Sequence, residues 1–175
     1  HKHYANRPYG DDIVTVEGVL EVHCAGPIRL LSPLLALTGG IPPFTARGVP
    51  ATVRFESDHE SSAFHFNRLF RFPGRKPYVF HSRLIPCGGN EMIEVMPFGL
   101  GWRASYAWEN GKVVLRHRGY VLHLLGHDIP LPLTPILGRG HAEETAIDDE
   151  TFDMHMEIIH PWWGSIYGYR GRFTV

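Results

Sequence analysis

Cysteine is scarce in this chain: there are two in 175 residues, Cys24 and Cys87, and neither stands in a C-x-x-C pair. That excludes a disulfide framework and a thiolate zinc cage, and it implies two free thiols in a reducing compartment, taken to be the cytoplasm. Long apolar runs are lacking as well. The longest, around Leu30 to Leu37, is interrupted by Ser32 and Pro33, well short of the roughly 20 residues a membrane helix requires, so no membrane span is expected. Charge of one sign is not in excess: 17 basic and 18 acidic residues give a formal charge of −1, with no long block of either. Nothing in that balance calls for nucleic acid. No secretory leader is read at the start, and the first residue is His1 rather than Met, so this sequence is expected to be trimmed or part of a longer polypeptide. Repeats of 20 to 50 residues are absent. So are the G-x-S-x-G elbow, the P-loop, the G-x-G-x-x-G fingerprint and H-E-x-x-H, which leaves covalent hydrolase chemistry unsupported.

What is there is alternation. Asp12 to His23 reads as a strand with Gly18 as a candidate bulge. "PIRLLSPLLAL", from Pro27 to Leu37, has the spacing of a short helix, stopped by Gly39, Gly40 and Pro42-Pro43. Nine further strands are expected at about 51–56, 62–72, 78–86, 91–97, 101–109, 112–124, 140–147, 151–159 and 165–174. Turn chemistry separates them, most clearly Asn110-Gly111, which suits a type I′ hairpin and brings Trp108 near Val113. Ten strands joined by short turns would leave two exposed edges in an open sheet, so closure is favoured. The expected fold is therefore mainly β: a closed antiparallel barrel of about ten strands with one short helix between the first two. That order resembles calycin-type barrels, in particular the fatty-acid-binding arrangement, in architecture alone. Residues 1–12 read as an N-terminal extension and 13–175 as one barrel domain.

A barrel of this size must fill its interior with side chains or enclose a cavity. Phe64, Phe66, Arg68 and Phe70 share one face, and a buried Arg68 needs a partner, since an unpaired charge costs several kcal/mol. Glu94 lies between Met92 and Met96 and could pair with it, unless Ile93 and Val95 point inward instead. The strand 112–124 has no clean polar face. Its Arg116, Arg118 and Tyr120 are similar in type to the groups that grip a carboxylate in fatty-acid-binding barrels, although solvated arginines are the simpler account. In "TFDMHMEII", Phe152, Met154, Met156 and Ile158 form the apolar face, which turns His155 and Glu157 outward. A two-residue turn before it places His141 and Glu143 beside Met154 and Met156, and a three-residue turn places Ala142 and Glu144 there. The twelve histidines do not converge at metal-ligand spacing, and no metal or cofactor is implied. A haem would have to use His160 or His81.

"FNRLFRFPGRKPYVFHSRL", "EMIEVMPFGLGW", "GHDIPLPLTPILGRGHAEE" and "FDMHMEIIHPWWGSIYGYRGRF" together resemble an uncharacterised bacterial domain of unknown function, over residues 13 to 174. The most specific parts are the Arg68 segment, the Gly126 to Pro132 turn, Ala142-x-Glu144, His160-Pro161 and Tyr169-x-Gly171. The resemblance implies that the acidic position is Glu144 and not Glu143. It also implies occurrence alone or fused to a saccharopine-dehydrogenase-like nucleotide-binding domain. Phenylalanines stand here where such sequences tend to carry a tryptophan before Arg68, a change that alters cavity shape.

Two functional classes follow, with a third beside them. The first is binding of a hydrophobic small molecule bearing an acidic or carbonyl group, lined by Phe66, Met154 and Met156 and oriented by Arg68, Arg116, Arg118 and Tyr169. The second is a non-covalent isomerase, cyclase or hydratase with Glu94 or Glu144 as general base and an arginine or His160 as its electrophilic partner. The third is a structural or regulatory attachment to a dehydrogenase, with the interior charges neutralised in pairs.

Overall fold

A computed structural model describes residues 6–25 and 40–175. Its strands are β1 (Ile13–Cys24), β2 (Ala46–Ser57), β3 (Phe64–Phe70), β4 (Tyr78–Gly88), β5 (Glu91–Val95), β6 (Leu100–Glu109), β7 (Lys112–Leu124), β8 (His127–Leu131), β9 (Arg139–Ala146), β10 (Thr151–His160) and β11 (Gly164–Thr174). Every pairing is antiparallel. β1 to β7 follow in order, β9, β10 and β11 continue the ring, and β11 pairs back onto β1. The result is a closed ten-stranded barrel with β8 as an extra strand on β7. The expected helix at 27–37 lies outside the described residues. The described α-helix is a single turn, α1 (Thr134–Leu137), between β8 and β9.

β8 was not anticipated, and its sequence explains why. "HDIPL" has Pro130 in the middle, which cannot donate to a ladder and reads as loop. The strand is tolerated because it pairs on one side only, with β7 at Tyr120 to Leu124. β9 takes the same side of β7 further along, opposite Lys112 to Arg116. β8 and β9 thus flank β7 in succession, with α1 filling the interruption.

The ends of the ring follow from the register. Asn110-Gly111 turns through positive φ at both residues, 50° and 77°, and sets Trp108 opposite Val113. Gly18 is not a bulge: it pairs regularly with Ala51 and Phe173, and a Cβ there would sit 2.4 Å from the Arg172 carbonyl oxygen. The irregularity falls between Leu20 and Val22.

The mixed character of β7 also has a local cause. Arg103 opposes Gly119 whereas Ala104 opposes His117, so Arg118 is an extra, bulged residue. Before the bulge Val113, Leu115 and His117 face the lumen, and after it Tyr120 does. Gly119 takes φ 134°, a conformation that L side chains rarely adopt. The lumen holds two apolar groups of side chains: one around Leu20, Phe55, Phe70, Tyr167 and Phe173, the other around Met92, Trp102, Leu115 and Tyr120. Met156 and Phe66 touch both.

Gly119→Ala tests the bulge. There is open space around the position, so a loss of about 1–3 kcal/mol in urea denaturation would report backbone strain alone. An unchanged midpoint would mean that the bulge does not depend on this φ.

Candidate functional site

Period-two alternation, applied strand by strand, carries one ionic cluster into the barrel. β3 turns Phe66, Arg68 and Phe70 inward, β4 turns Phe80, Ser82 and Leu84 inward, and β5 turns Met92 and Glu94 inward. Arg68 opposes Phe80, and Leu84 opposes Glu94. The guanidinium Nη2 donates to Glu94 Oε1 at 2.7 Å and Nη1 donates to Ser82 Oγ at 2.9 Å. Ser82 Oγ in turn donates to the same carboxylate oxygen at 2.6 Å. The rings of Phe66 and Phe80 flank the guanidinium, with centroids 5.2 and 4.8 Å from its central carbon.

Burial opposes the charge on Arg68, yet the adjacent Glu94 overcomes that opposition and holds the guanidinium pKa above its ordinary value. Tyr169, also in the lumen, has its phenol pushed up to about 12, first by burial, against the pull of Arg68. Tyr106 is raised by burial and then by Glu144 and Glu94. Tyr167 is raised well above its usual value by burial, and its hydroxyl meets no partner among the described residues. These phenols are neutral donors at any physiological pH.

Ile93 was the competitor for the inward face at β5. It is buried on the outer side, over the gap left by Gly101, where a Cβ would come within 2.7 Å of the Ile93 side chain and 2.8 Å of Val121. Both faces of β5 are therefore covered, and this is why its pattern is ambiguous.

In the 140–160 hairpin, Met154 opposes Glu144 and Met156 opposes Ala142. Asp148 accepts hydrogen bonds from the backbone N–H groups of Glu150 and Thr151, and strand pairing resumes at Phe152 opposite Ala146. Glu144 is consequently buried in the lumen. Glu143 faces out to Lys112, whose Nζ donates at 3.2 Å.

The other site residues scatter. Arg116 lies outside and pairs with Glu109, and the bulged Arg118 donates from Nε to Ser105 Oγ at 3.0 Å. Neither joins Arg68. Tyr120 does face inward, but its hydroxyl donates to the Gly138 carbonyl. His160 is buried at the end of β10, with Nδ1 accepting from the Trp162 backbone and its ring stacked on Trp163 at 4.1 Å. It lies six residues along the strand from Met154, the residue opposite Glu144, which is about 20 Å at strand rise. Glu144 and His160 are thus not an acid–base pair. Among the described residues no three His, Cys, Asp or Glu side chains converge as metal ligands.

Sequence reasoning missed His117, whose phase is hidden by the bulge. Its Nδ1 accepts from Trp102 Nε1 at 3.0 Å and its Nε2 lies 2.9 Å from Thr134 Oγ1, so the neutral ring ties β6 and β7 to α1.

The free space beside the buried pair is small. The cavity beside Arg68, Glu144, Tyr169, Phe66 and Met154 measures about 40 Å³, room for a water or two. A larger hollow of about 720 Å³ lies outside, across β1, β9, β10 and β11. Its charges are already matched, Arg170 to Glu21 at 2.8 Å and Arg172 to Asp153 at 2.7 Å.

The cluster makes two predictions. Arg68→Met or Glu94→Leu alone strands a buried partner and should cost about 3–5 kcal/mol in chemical denaturation, while Arg68→Met with Glu94→Leu should recover most of it. Strict additivity of the two losses would show that the pair is not coupled. The second concerns pH. Burial, and then Arg139, hold the His117 imidazole below its ordinary pKa. The unfolded chain therefore binds the proton more readily, and stability should fall as pH drops below about 6.5. His117→Asn should flatten that slope between about pH 7 and pH 5, read from urea midpoints. An identical slope in the variant would assign the proton elsewhere.

No curated protein gives a significant match to the chain. Residues 1–173 match the family described as a domain of unknown function (DUF4166), a span that takes in the N-terminal extension as well as the barrel. The chain belongs to that family.

Proposed function

We propose that this barrel is a non-catalytic structural or regulatory attachment module, a part that a larger assembly uses for its rigidity and its outer surfaces. One observation carries the reading: the buried Arg68 and Glu94 of the lumen are spent on each other and on Ser82. Arg68 is bonded to Glu94 and Ser82 and capped by two phenylalanine rings. The cavity beside that pair, about 40 Å³, is far below the roughly 300–1,000 Å³ of a typical ligand pocket. A saccharopine-dehydrogenase-like nucleotide-binding domain, suggested by the sequence resemblance, is the kind of partner such a module would serve.

A second reading has one feature in its favour. Arg68, Tyr169 and Glu144 meet Phe66 and Met154 at the same small cavity, the combination of apolar walls and few polar anchors expected of a binder for a hydrophobic acid or carbonyl compound. For a long-chain ligand the barrel would have to swell and Glu94 give up its partner.

Native mass spectrometry of the purified protein separates the two. The attachment reading expects the bare chain mass, and no rise in melting temperature with excess oleate. A lipid-sized adduct that survives gentle ionisation, or oleate stabilisation that Arg68→Met abolishes, would favour the binder.

A further inference from the structure

The two ends of the barrel differ in chemistry, and the difference is not one that folding requires. One end gathers the β3–β4, β5–β6, β7–β8 and β10–β11 turns together with α1. The β3–β4 turn holds Arg71, Arg75 and Lys76, and Arg139 follows α1, all four exposed. None of the four meets a carboxylate among the described residues. Arg71 donates to Thr52 Oγ1, and Arg75 lies over the Phe44 ring at 4.4 Å. The acid described in these turns is Asp128, 2.7 Å from His123. The opposite end is acidic, with Asp58 and Glu60 in one turn and Asp148, Asp149 and Glu150 in another.

The basic end also carries large apolar side chains on its tips. Phe98 is 82% exposed, Leu125 89%, Trp162 73% and Trp163 55%. Phe98-Gly99 and Leu125-Gly126 turn through positive φ at both residues, as Asn110-Gly111 does at the other end. Asn is a comfortable residue in that conformation, whereas Phe and Leu are not. At the basic end the chain thus accepts backbone strain and solvent exposure where a polar residue would be better for folding. Folding alone does not account for either side chain.

We propose that this end docks on the surface of an anionic lipid bilayer, with Phe98, Leu125, Trp162 and Trp163 entering the headgroup region and Arg71, Arg75, Lys76 and Arg139 facing the phosphates. The tips stand on separate turns, so they present points that can enter a soft interface rather than one flat patch for a rigid protein partner. Tryptophan and phenylalanine favour the headgroup level of a bilayer, and unpaired cations are drawn to acidic lipid within a Debye length. The acidic far end would face away. Head-to-tail stacking of copies also matches the charges, but it would form open-ended fibres.

Flotation with vesicles tests this. The protein should float with phosphatidylcholine vesicles containing about 30% phosphatidylserine, bind pure phosphatidylcholine weakly, and lose binding as salt rises. Binding should shift Trp emission to the blue. Arg71→Glu with Arg75→Glu and Lys76→Glu should lower the partition coefficient by about a hundredfold or more, at roughly fivefold per lost cation. Leu125→Ser with Trp162→Ser should weaken binding to both vesicle types, and Trp108→Ser at the far end should leave it unchanged. The Leu125 and Trp162 changes sit on exposed tips, and circular dichroism before flotation confirms that each variant is folded. Absence of flotation in the wild type, or flotation indifferent to the Leu125 and Trp162 changes, overturns the proposal. So does concentration-dependent self-association in sedimentation velocity that these changes abolish while vesicles do nothing, since that assigns the end to a second copy. These outcomes are independent of whether the lumen holds a ligand.

Discussion

The contact between Arg68 and Glu94 constrains more of this molecule than any other. A guanidinium and a carboxylate inside a barrel are tolerable only when each reaches the other and their spare hydrogen-bonding capacity is met, here by Ser82. Meeting that condition requires β3, β4 and β5 to hold one register. A slip of one residue in any of them would send a charge outward and bring its neighbour in. Aromatic residues around the pair then follow from geometry, because Phe66 and Phe80 occupy the flanking inward positions on their strands. The pair is a poor source of net stability and a strong source of registry.

The same pair limits what the lumen can do. An arginine already engaged by a carboxylate, a hydroxyl and two ring faces is no longer an open anchor, and the space beside it holds little more than solvent. Glu144 reaches the lumen from the far wall, and with Glu94 it adds to the upward shift that burial gives the phenols of Tyr106 and Tyr169. The interior is thus a polar knot inside an aromatic core, and it has the rigidity of a core.

Much of this was legible in the residues, and the parts that were not have identifiable causes. Alternation around Phe66, Phe70, Met92 and Met96 put Arg68 beside Glu94 as one of two readings, the other turning Ile93 and Val95 inward. The residues of the 140–159 hairpin left Glu143 and Glu144 as alternatives, the family resemblance favoured Glu144, and Asn110-Gly111 declared its own hairpin. Arg116 and Arg118 were hard to place because a bulge at Arg118 changes the inward parity halfway along β7, and alternation carries no mark of such a change except Gly119. β8 was hidden by Pro130, and His117 by the bulge. Ile93 looked like an inward residue because the outer wall is itself packed where Gly101 makes room. In each case a tertiary feature changed the meaning of a local pattern.

Closure explains why the surfaces of interest lie at the ends. A ring of paired strands has no free edge to offer a partner by strand addition, apart from the short β8 with its Pro130. Its side walls are crossed by matched charges such as Arg170 with Glu21 and Arg172 with Asp153. The turns are freer, since no neighbouring strand dictates their side chains. On one end they carry carboxylates of the kind that keep a protein in solution. On the other they place Phe98 and Leu125 on backbone that would accept asparagine more readily, at the end that also holds Arg71, Arg75, Lys76 and Arg139, which meet no carboxylate among the described residues. In this barrel the exposed Phe98, Leu125, Trp162 and Trp163 stand together at one rim, on turns whose side chains no strand pairing dictates.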